Sequence, residues 1–321
     1  MFNLKILYLK LKNKFNENYL GGDCYTKEYN FLGKKFKRKL LYPNLPICNE
    51  YYDLPRVYLS ITAILKNEAP YIKEWIEYHK MLGVDRFYLY DNESDDNLKE
   101  VLQPYIDSGL VYYHLIKGKC VQNPAYRDAV YKYKEQTTWM AFIDIDEFIL
   151  PLEKDSIPEF LEDYEKYSGV GINWVMFDSN GHIEKPKENY GLVIANYFKT
   201  HSEDNLKVNM HIKTIANPRE ILSVPNPHFC YYKNNKLTVD ENKKVIYGPF
   251  TDSHNASKIR INHYYCKSKE EYLKKISRGR ATCNRCKPYD EDSLNFKEYK
   301  YDYSMEDKIP KLEKIMFEKR S

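Results

Sequence analysis

Nine consecutive residues, Val57-Tyr58-Leu59-Ser60-Ile61-Thr62-Ala63-Ile64-Leu65, are aliphatic, aromatic or small, with no charge among them. A half-exposed strand would alternate apolar and polar residues. This run does not, so both of its faces must be covered, as in a parallel sheet layered with helices. It stops at Lys66-Asn67-Glu68-Ala69-Pro70. The next segments keep to the same scheme. Ile72, Trp75, Ile76, His79 and Leu82 share one helical stripe, and Gly83 ends it. Arg86 to Tyr90 reads as a second strand, running into Asp91-Asn92-Glu93-Ser94-Asp95-Asp96. Leu98, Val101, Leu102, Tyr105 and Ile106 form a second stripe, which Pro104 kinks or shortens. Leu110–Leu115 is a third strand, residues 122–137 a helix and residues 139–143 a fourth strand. Strands alternating with helices predict a doubly wound, mostly parallel α/β sheet.

In such sheets ligands bind beyond the carboxyl ends of the strands. The polar clusters at Asn67-Glu68, at Asp91-Asn92 and after residue 143 all fall there. The last is the densest. In Phe142-Ile143-Asp144-Ile145-Asp146-Glu147-Phe148, three acids occur in four residues. Read as extended chain, Asp144 and Asp146 point to one side and Ile145 to the core. Two carboxylates on one face repel unless a cation lies between them. Mg²⁺ and Mn²⁺ suit such oxygen ligands, Mg²⁺ being held by one or two carboxylates together with substrate phosphates. The pattern predicts a metal-bound diphosphate site.

Beyond it, Ser156-Ile157-Pro158-Glu159 has the form of a capping box, opening a helix through about Tyr167. Gly169 to Phe177 is another strand, ending in Asp178-Ser179-Asn180-Gly181. Residues 183–250 read as short strands and loops; a strand at Ile259–Tyr265 and a helix near 268–277 precede Arg278-Gly279-Arg280.

The chain has 321 residues and a net charge of +4, too small a charge to suggest nucleic acid as a partner. Neither G-x-G-x-x-G nor a P-loop motif occurs, which argues against dinucleotide enzymes and P-loop NTPases. The 32 tyrosines include rings that would suit sugar faces. Seven widely spaced cysteines point to a reduced, intracellular setting. Cys283 and Cys286 form a lone C-x-x-C whose spacing to Cys266 and His263 matches no standard zinc module. No run of 18 apolar residues and no signal peptide is evident. The expected organisation is a basic appendage (1–50), one domain (51–286) and a charged, Tyr-rich tail (287–321). Lysines at 5, 10, 12 and 14 and the basic cluster Lys34–Lys39 would suit an anionic membrane surface, unless the first segment packs as a helix.

Ile64-Leu65-Lys66-Asn67-Glu68, Glu74-Trp75-Ile76-Glu77-Tyr78-His79, Phe142 to Phe148, Ile261-Asn262-His263-Tyr264 and Arg278-Gly279-Arg280-Ala281 occur in this order. Together they resemble the family 92 glycosyltransferases and related bacterial enzymes, across roughly residues 57–281. The resemblance implies a GT-A fold, a nucleotide-sugar donor such as a UDP-hexose (galactose or glucose), Mn²⁺ or Mg²⁺, and inverting transfer. The acceptor would be an oligosaccharide or lipid-linked glycan of capsule, lipopolysaccharide or another surface polymer. The setting would be cytoplasmic, with peripheral contact at the inner face of the cell membrane. Asp144, Asp146 and His263 would hold the metal. Asn67, Glu68, Asp91, Arg127 and Asp144 would flank the nucleotide or its diphosphate. Asp178, which departs from the family's small residue, is the first choice for the base; Glu147 and Asp252 compete.

Two other classes stay open on these residues. A haloacid-dehalogenase-type phosphatase also places D-x-D after an apolar strand, but it would want Thr or Val where Glu147 stands. A non-catalytic carbohydrate-binding protein would need no metal acids. Donor hydrolysis with Mn²⁺ separates all three.

Overall fold

A computed structural model describes residues 54–204, 206–279 and 289–318, and the backbone pairing of β1 (Cys24–Phe31) with β2 (Lys34–Leu41). The basic cluster Lys34–Lys39 thus lies on a strand of an antiparallel hairpin. Residues 1–23, Arg280, Ala281, Cys283 and Cys286 lie outside the described residues.

The centre is a ten-stranded sheet. Its parallel half is β3 (Val57–Leu65), β4 (Arg86–Asp91), β5 (Val111–Leu115) and β6 (Thr137–Phe142), lying in the order β6–β3–β4–β5. Helices Ala69–Met81, Leu98–Asp107 and Gln122–Tyr133 make the crossovers. Next in the chain come β7 (Glu147–Pro151), β8 (Gly169–Met176), β9 (Lys199–His201) and β10 (Ile212–Ala216). A hairpin of β11 (Ile221–Asn226) and β12 (Phe229–Tyr232) precedes β13 (Thr238–Val239), β14 (Val245–Ile246) and β15 (Ile259–His263). Strand β10 enters between β6 and β8 and runs antiparallel to both. Strand β15 joins β8 in parallel and carries β7 as an antiparallel outer partner.

The first crossover helix shows why this arrangement holds. Ile72, Trp75, Ile76 and Tyr78 are wholly buried against the sheet. Each buried side chain of this size contributes about 1.5–3 kcal/mol. That outweighs the modest helix propensities of Trp, Ile and Tyr, at most about 0.7 kcal/mol below alanine. The helix stops as expected at Gly83, with φ at 94°, where a Cβ would come within 2.8 Å of Pro158 Cδ.

Three expected boundaries move. The third crossover helix ends at Tyr133 and β6 begins at Thr137, because Thr137 and Thr138 are β-branched and the residue before them, Gln136, already accepts from Val57 N. The Ser156 helix runs only over Ile157–Glu162. Ser156 Oγ accepts from Glu159 N, but the Glu159 carboxylate turns to Asp155 N, so the box is half made. The charged segment after residue 287 is no free tail. Its β16 (Tyr299–Tyr301) pairs with β9, Asp302 accepts from Arg260 at 2.7–2.8 Å, and Leu312 on helix Ile309–Phe317 is buried in the main core.

Candidate active site

Strand register brings the polar loops to one edge. Leu65 lies beside Asp91, and Asp91 beside Leu115, while Thr62 pairs with Phe142. The residues after β3, β4 and β6 therefore leave the sheet on the same side. The loop after β3 is bound to the one after β4. Asn67, at φ 56°, accepts from Asp95 N at 3.0 Å and donates through its own N–H to Ser94 Oγ at 2.9 Å. Asp91 accepts from Ser94 N and from Tyr113 OH at 2.6 Å. Both residues thus spend their side chains on shaping these loops. Arg127 donates to Asn123 O at 3.3 Å within its own helix.

The acids after β6 do not continue as a strand. Glu147 N donates to Asp144 O at 3.1 Å, closing a tight turn over residues 144–147. The period-two reading of Asp144 and Asp146 therefore fails, and the two carboxylates find different partners. Asp144 accepts from Lys213 Nζ at 2.8 Å, Gln122 Nε2 at 2.7 Å and Tyr126 OH at 3.3 Å. Asp146 accepts from Lys275 Nζ and lies 3.4 Å from His263 Nε2. Of the three expected metal ligands, the fold brings together Asp146 and His263 and turns Asp144 toward lysine. Among the described residues, no three His, Cys, Asp or Glu side chains converge as a metal cage.

Each partner comes from the topology. Thr214 pairs with Phe142, so antiparallel β10 delivers Lys213 to the carboxyl end of β6. His263 ends β15 opposite Glu147, and Tyr264 N donates to Asp146 O at 2.9 Å. Lys275 rides on helix Lys269–Arg278, launched by a complete capping box between Ser268 and Glu271. Arg278 on the same helix donates to Lys66 O, and at 2.5 Å to Glu68, whose expected place beside a nucleotide is here an ion pair.

These contacts set the electrostatics. Burial opposes charge on Asp146, but Lys275 and His263 outweigh it and hold the carboxyl well below its usual range. For Asp144, Lys213 overcomes burial in the same way. Burial pushes Glu147 well above the usual range despite Lys213 at 3.5 Å. Burial also lowers His263, against the pull of Asp146, so its imidazole is neutral at pH 7 and can ligate. Asp144 keeps a third of its side chain exposed, whereas Glu147 is fully enclosed. Glu147 therefore holds the turn, by accepting from Asp144 N at 2.8 Å, and faces no solvent.

Asp178 is also committed. Its two oxygens accept from Asn180 N at 2.8 Å and Phe296 N at 3.0 Å, fastening the C-terminal segment to the end of β8. Asp252 is exposed and borders a hollow of about 430 Å³ that Tyr247, Phe250 and Asn255 also line. The Phe250 ring, 43% exposed, packs 4.3 Å from His211, which stacks 4.8 Å from Trp174, itself 4.4 Å from His263. A chain of rings thus links the hollow to the acids. The zinc alternative loses two members here: Cys266 donates to Ser293 O, and His263 faces Asp146.

The conspicuous Glu74-Trp75-Tyr78-His79 run builds the scaffold of the site. Trp75 Nε1 donates to Glu147 O at 2.9 Å, Tyr78 OH to Ile149 O at 3.0 Å, and His79 Nε2 accepts from Ile149 N at 3.2 Å. Among the described residues, β7 has only β15 as a strand partner, so these side chains satisfy its other edge. Glu74 accepts from Val193 N and Ile194 N. Sequence reasoning missed Lys213, Gln122, Tyr126 and Lys275 as site groups. Only the basic run at Arg278 left any local signal.

Known proteins resemble this chain over part of its length. A family 92 protein of Oryza sativa subsp. japonica is 30% identical over 128 residues, 40% of this chain and 22% of that protein. A galactan β-1,4-galactosyltransferase of Arabidopsis thaliana is 33% identical over 118 residues, 34% of this chain and 23% of that protein. The matches thus span less than a quarter of these relatives. Staphylococcus aureus TarS 1–349 in complex with UDP superimposes over 40% of this chain and 39% of its own, with TM-score 0.30 and 14% identity. The glycosyltransferase family 92 model matches residues 57–281, and the chain, with its mixed α/β sheet flanked by helices, belongs to that family.

Proposed function

We propose that this protein is a glycosyltransferase moving a hexosyl group from a nucleotide-sugar, a UDP-hexose first of all, to a saccharide acceptor. The observation that carries the proposal is Asp146 beside His263 at the carboxyl edge of the sheet, in a chain of family 92. The galactan galactosyltransferase relatives favour galactose as the sugar.

In the reaction, the acceptor oxygen bonds to the anomeric carbon and the carbon–oxygen bond to the diphosphate breaks. The diphosphate leaves with the electron pair, and a carboxylate base takes the hydroxyl proton. The donor set here, one buried carboxylate and one neutral imidazole, fits Mn²⁺ or Mg²⁺. Asp146 and His263 would be its two protein ligands, and phosphate oxygens and water would have to supply the rest, which suits a metal that arrives with the nucleotide. When bound, the metal supplies Lewis-acid neutralisation of the leaving diphosphate. Asp144, partly exposed, stays charged beside Lys213 and would face the donor. The base must have an oxygen turned to the acceptor; both Asp178 oxygens accept backbone N–H groups, and Glu147 is fully enclosed. The hollow beside Phe250 is where the acceptor saccharide would lie. The basic hairpin and the residues before it would tether the protein to anionic lipid, near lipid-linked acceptors of a surface glycan.

The test is a screen of UDP-galactose, UDP-glucose and related donors by thermal shift with Mn²⁺, followed by donor hydrolysis. One donor should stabilise the protein and be hydrolysed slowly, and EDTA should stop this. No donor effect at any metal concentration would sink the proposal.

A further inference from the structure

Helix Lys269–Arg278 carries two cations, Lys275 and Arg278, on its last turn. They are three residues apart and so share a face. Each reaches a different loop of the site: Lys275 meets Asp146 after β6, and Arg278 meets Lys66 O and Glu68 after β3. One helix thus bridges the two loops that flank the expected diphosphate. Both cations remain open to the cleft, with side chains 21% and 31% exposed, while the carboxylates they hold are 9% exposed each.

A carboxylate as buried as Asp146 is costly unless a counter-charge meets it. Lys275 supplies it, steered by a bond to Tyr265 O at 2.9 Å and by the Tyr265 ring 3.8 Å beneath the ammonium. A divalent cation on Asp146 would claim the same oxygen. The ammonium would then be released within reach of a newly arrived diphosphate, to which a lysine binds as a point charge.

We propose that Lys275 is an exchangeable counter-ion: it neutralises Asp146 in the donor-free protein and moves to the nucleoside diphosphate when metal and donor load, with Arg278 as the second arm. The inference rests on the reading of the chain as a nucleotide-sugar enzyme. It requires opposite effects on two ligands. Isothermal titration of the full chain with Mn²⁺ alone, and with UDP at saturating Mn²⁺, reads both. Lys275→Met should bind Mn²⁺ alone about threefold more tightly, because the competing ammonium is gone, yet bind UDP about tenfold more weakly. Lys275→Arg should stay within about threefold of wild type for UDP, because charge is kept. Arg278→Gln should weaken UDP and leave Mn²⁺ alone unchanged. If Lys275→Met weakens both ligands, changes neither, or loses the fold by thermal denaturation, Lys275 is a fixed structural partner and the exchange is wrong. Wild type that binds no UDP overturns the glycosyltransferase reading itself; UDP binding that Lys275→Met leaves intact overturns only the exchange.

Discussion

Lys213, 1% exposed on β10, donates to Asp144 Oδ2 at 2.8 Å. Its ammonium is also 3.5 Å from Glu147, so one buried cation serves two acids of the same turn. This one contact joins the inserted antiparallel strand to the chemistry of the site.

Removing that cation should be severe. Lys213→Met strips Asp144 of its 2.8 Å partner, and breaking a buried pair costs up to about 3–5 kcal/mol. Urea denaturation should show a loss of that order. A loss below about 1 kcal/mol, the level of an exposed pair, would mean that water reaches the turn.

Asp146 and Asp144 should part company in their variants. Asp146→Asn removes the carboxylate beside His263 and should cut transfer or donor hydrolysis at least about a hundredfold, the scale of losing one electrostatic stabiliser. Circular dichroism should show the fold retained. Asp144→Asn should lower activity and also stability, since Lys213 loses its nearer partner. Near-native rates in both variants would move the site elsewhere.

Asp178→Asn should behave as a weakened staple. Two backbone N–H groups lose a charged acceptor, costing about 1–3 kcal/mol, while activity at 25 °C stays within about tenfold of wild type. A collapse in rate of about a hundredfold or more, with stability intact, would restore Asp178 as the base.

His79 sets a pH dependence of folding. Buried between Trp75 O and Ile149 N, its imidazole is pushed by burial from 6.5 down to about 3. Between those values the unfolded chain holds the extra proton, so stability rises with pH. The contribution is complete above about pH 6.5 and falls by up to about 1.4 kcal/mol per unit as pH drops toward 3. Denaturation curves from pH 7 to 4 should be flatter by about one proton in His79→Gln than in wild type. Equal slopes would remove His79 as the cause.

Membrane attachment should reside in the basic N-terminal segment. Vesicles with anionic lipid should sediment the full chain at low salt and release it as salt rises, since each basic side chain adds about 1 kcal/mol at most. A chain lacking residues 1–41 should stay in the supernatant yet still bind UDP. Undiminished sedimentation of the shortened chain would refute the tether.

The alternation of buried strands and amphipathic helices was legible in the residues alone, and with it the edge at which Asn67, Asp91 and Asp144 meet. Those features are local: a period of 3.6 or a continuous apolar run is written in neighbouring residues. Asp146 and His263 were marked as partners too, through the family pattern rather than through spacing. The partner of each carboxylate, by contrast, depends on contacts far apart in the chain. Lys213 lies 69 residues from Asp144, and Lys275 lies 129 residues from Asp146. Their placement rests on the register of β10 and on how helix Lys269–Arg278 crosses the cleft, and no local periodicity encodes either. The same holds for Glu147 and Asp178. By sequence they are acids at strand ends, and only the turn over residues 144–147, which encloses Glu147 and gives its Oε2 to Asp144 N, and the docking of Phe296 on Asp178 decide what they do.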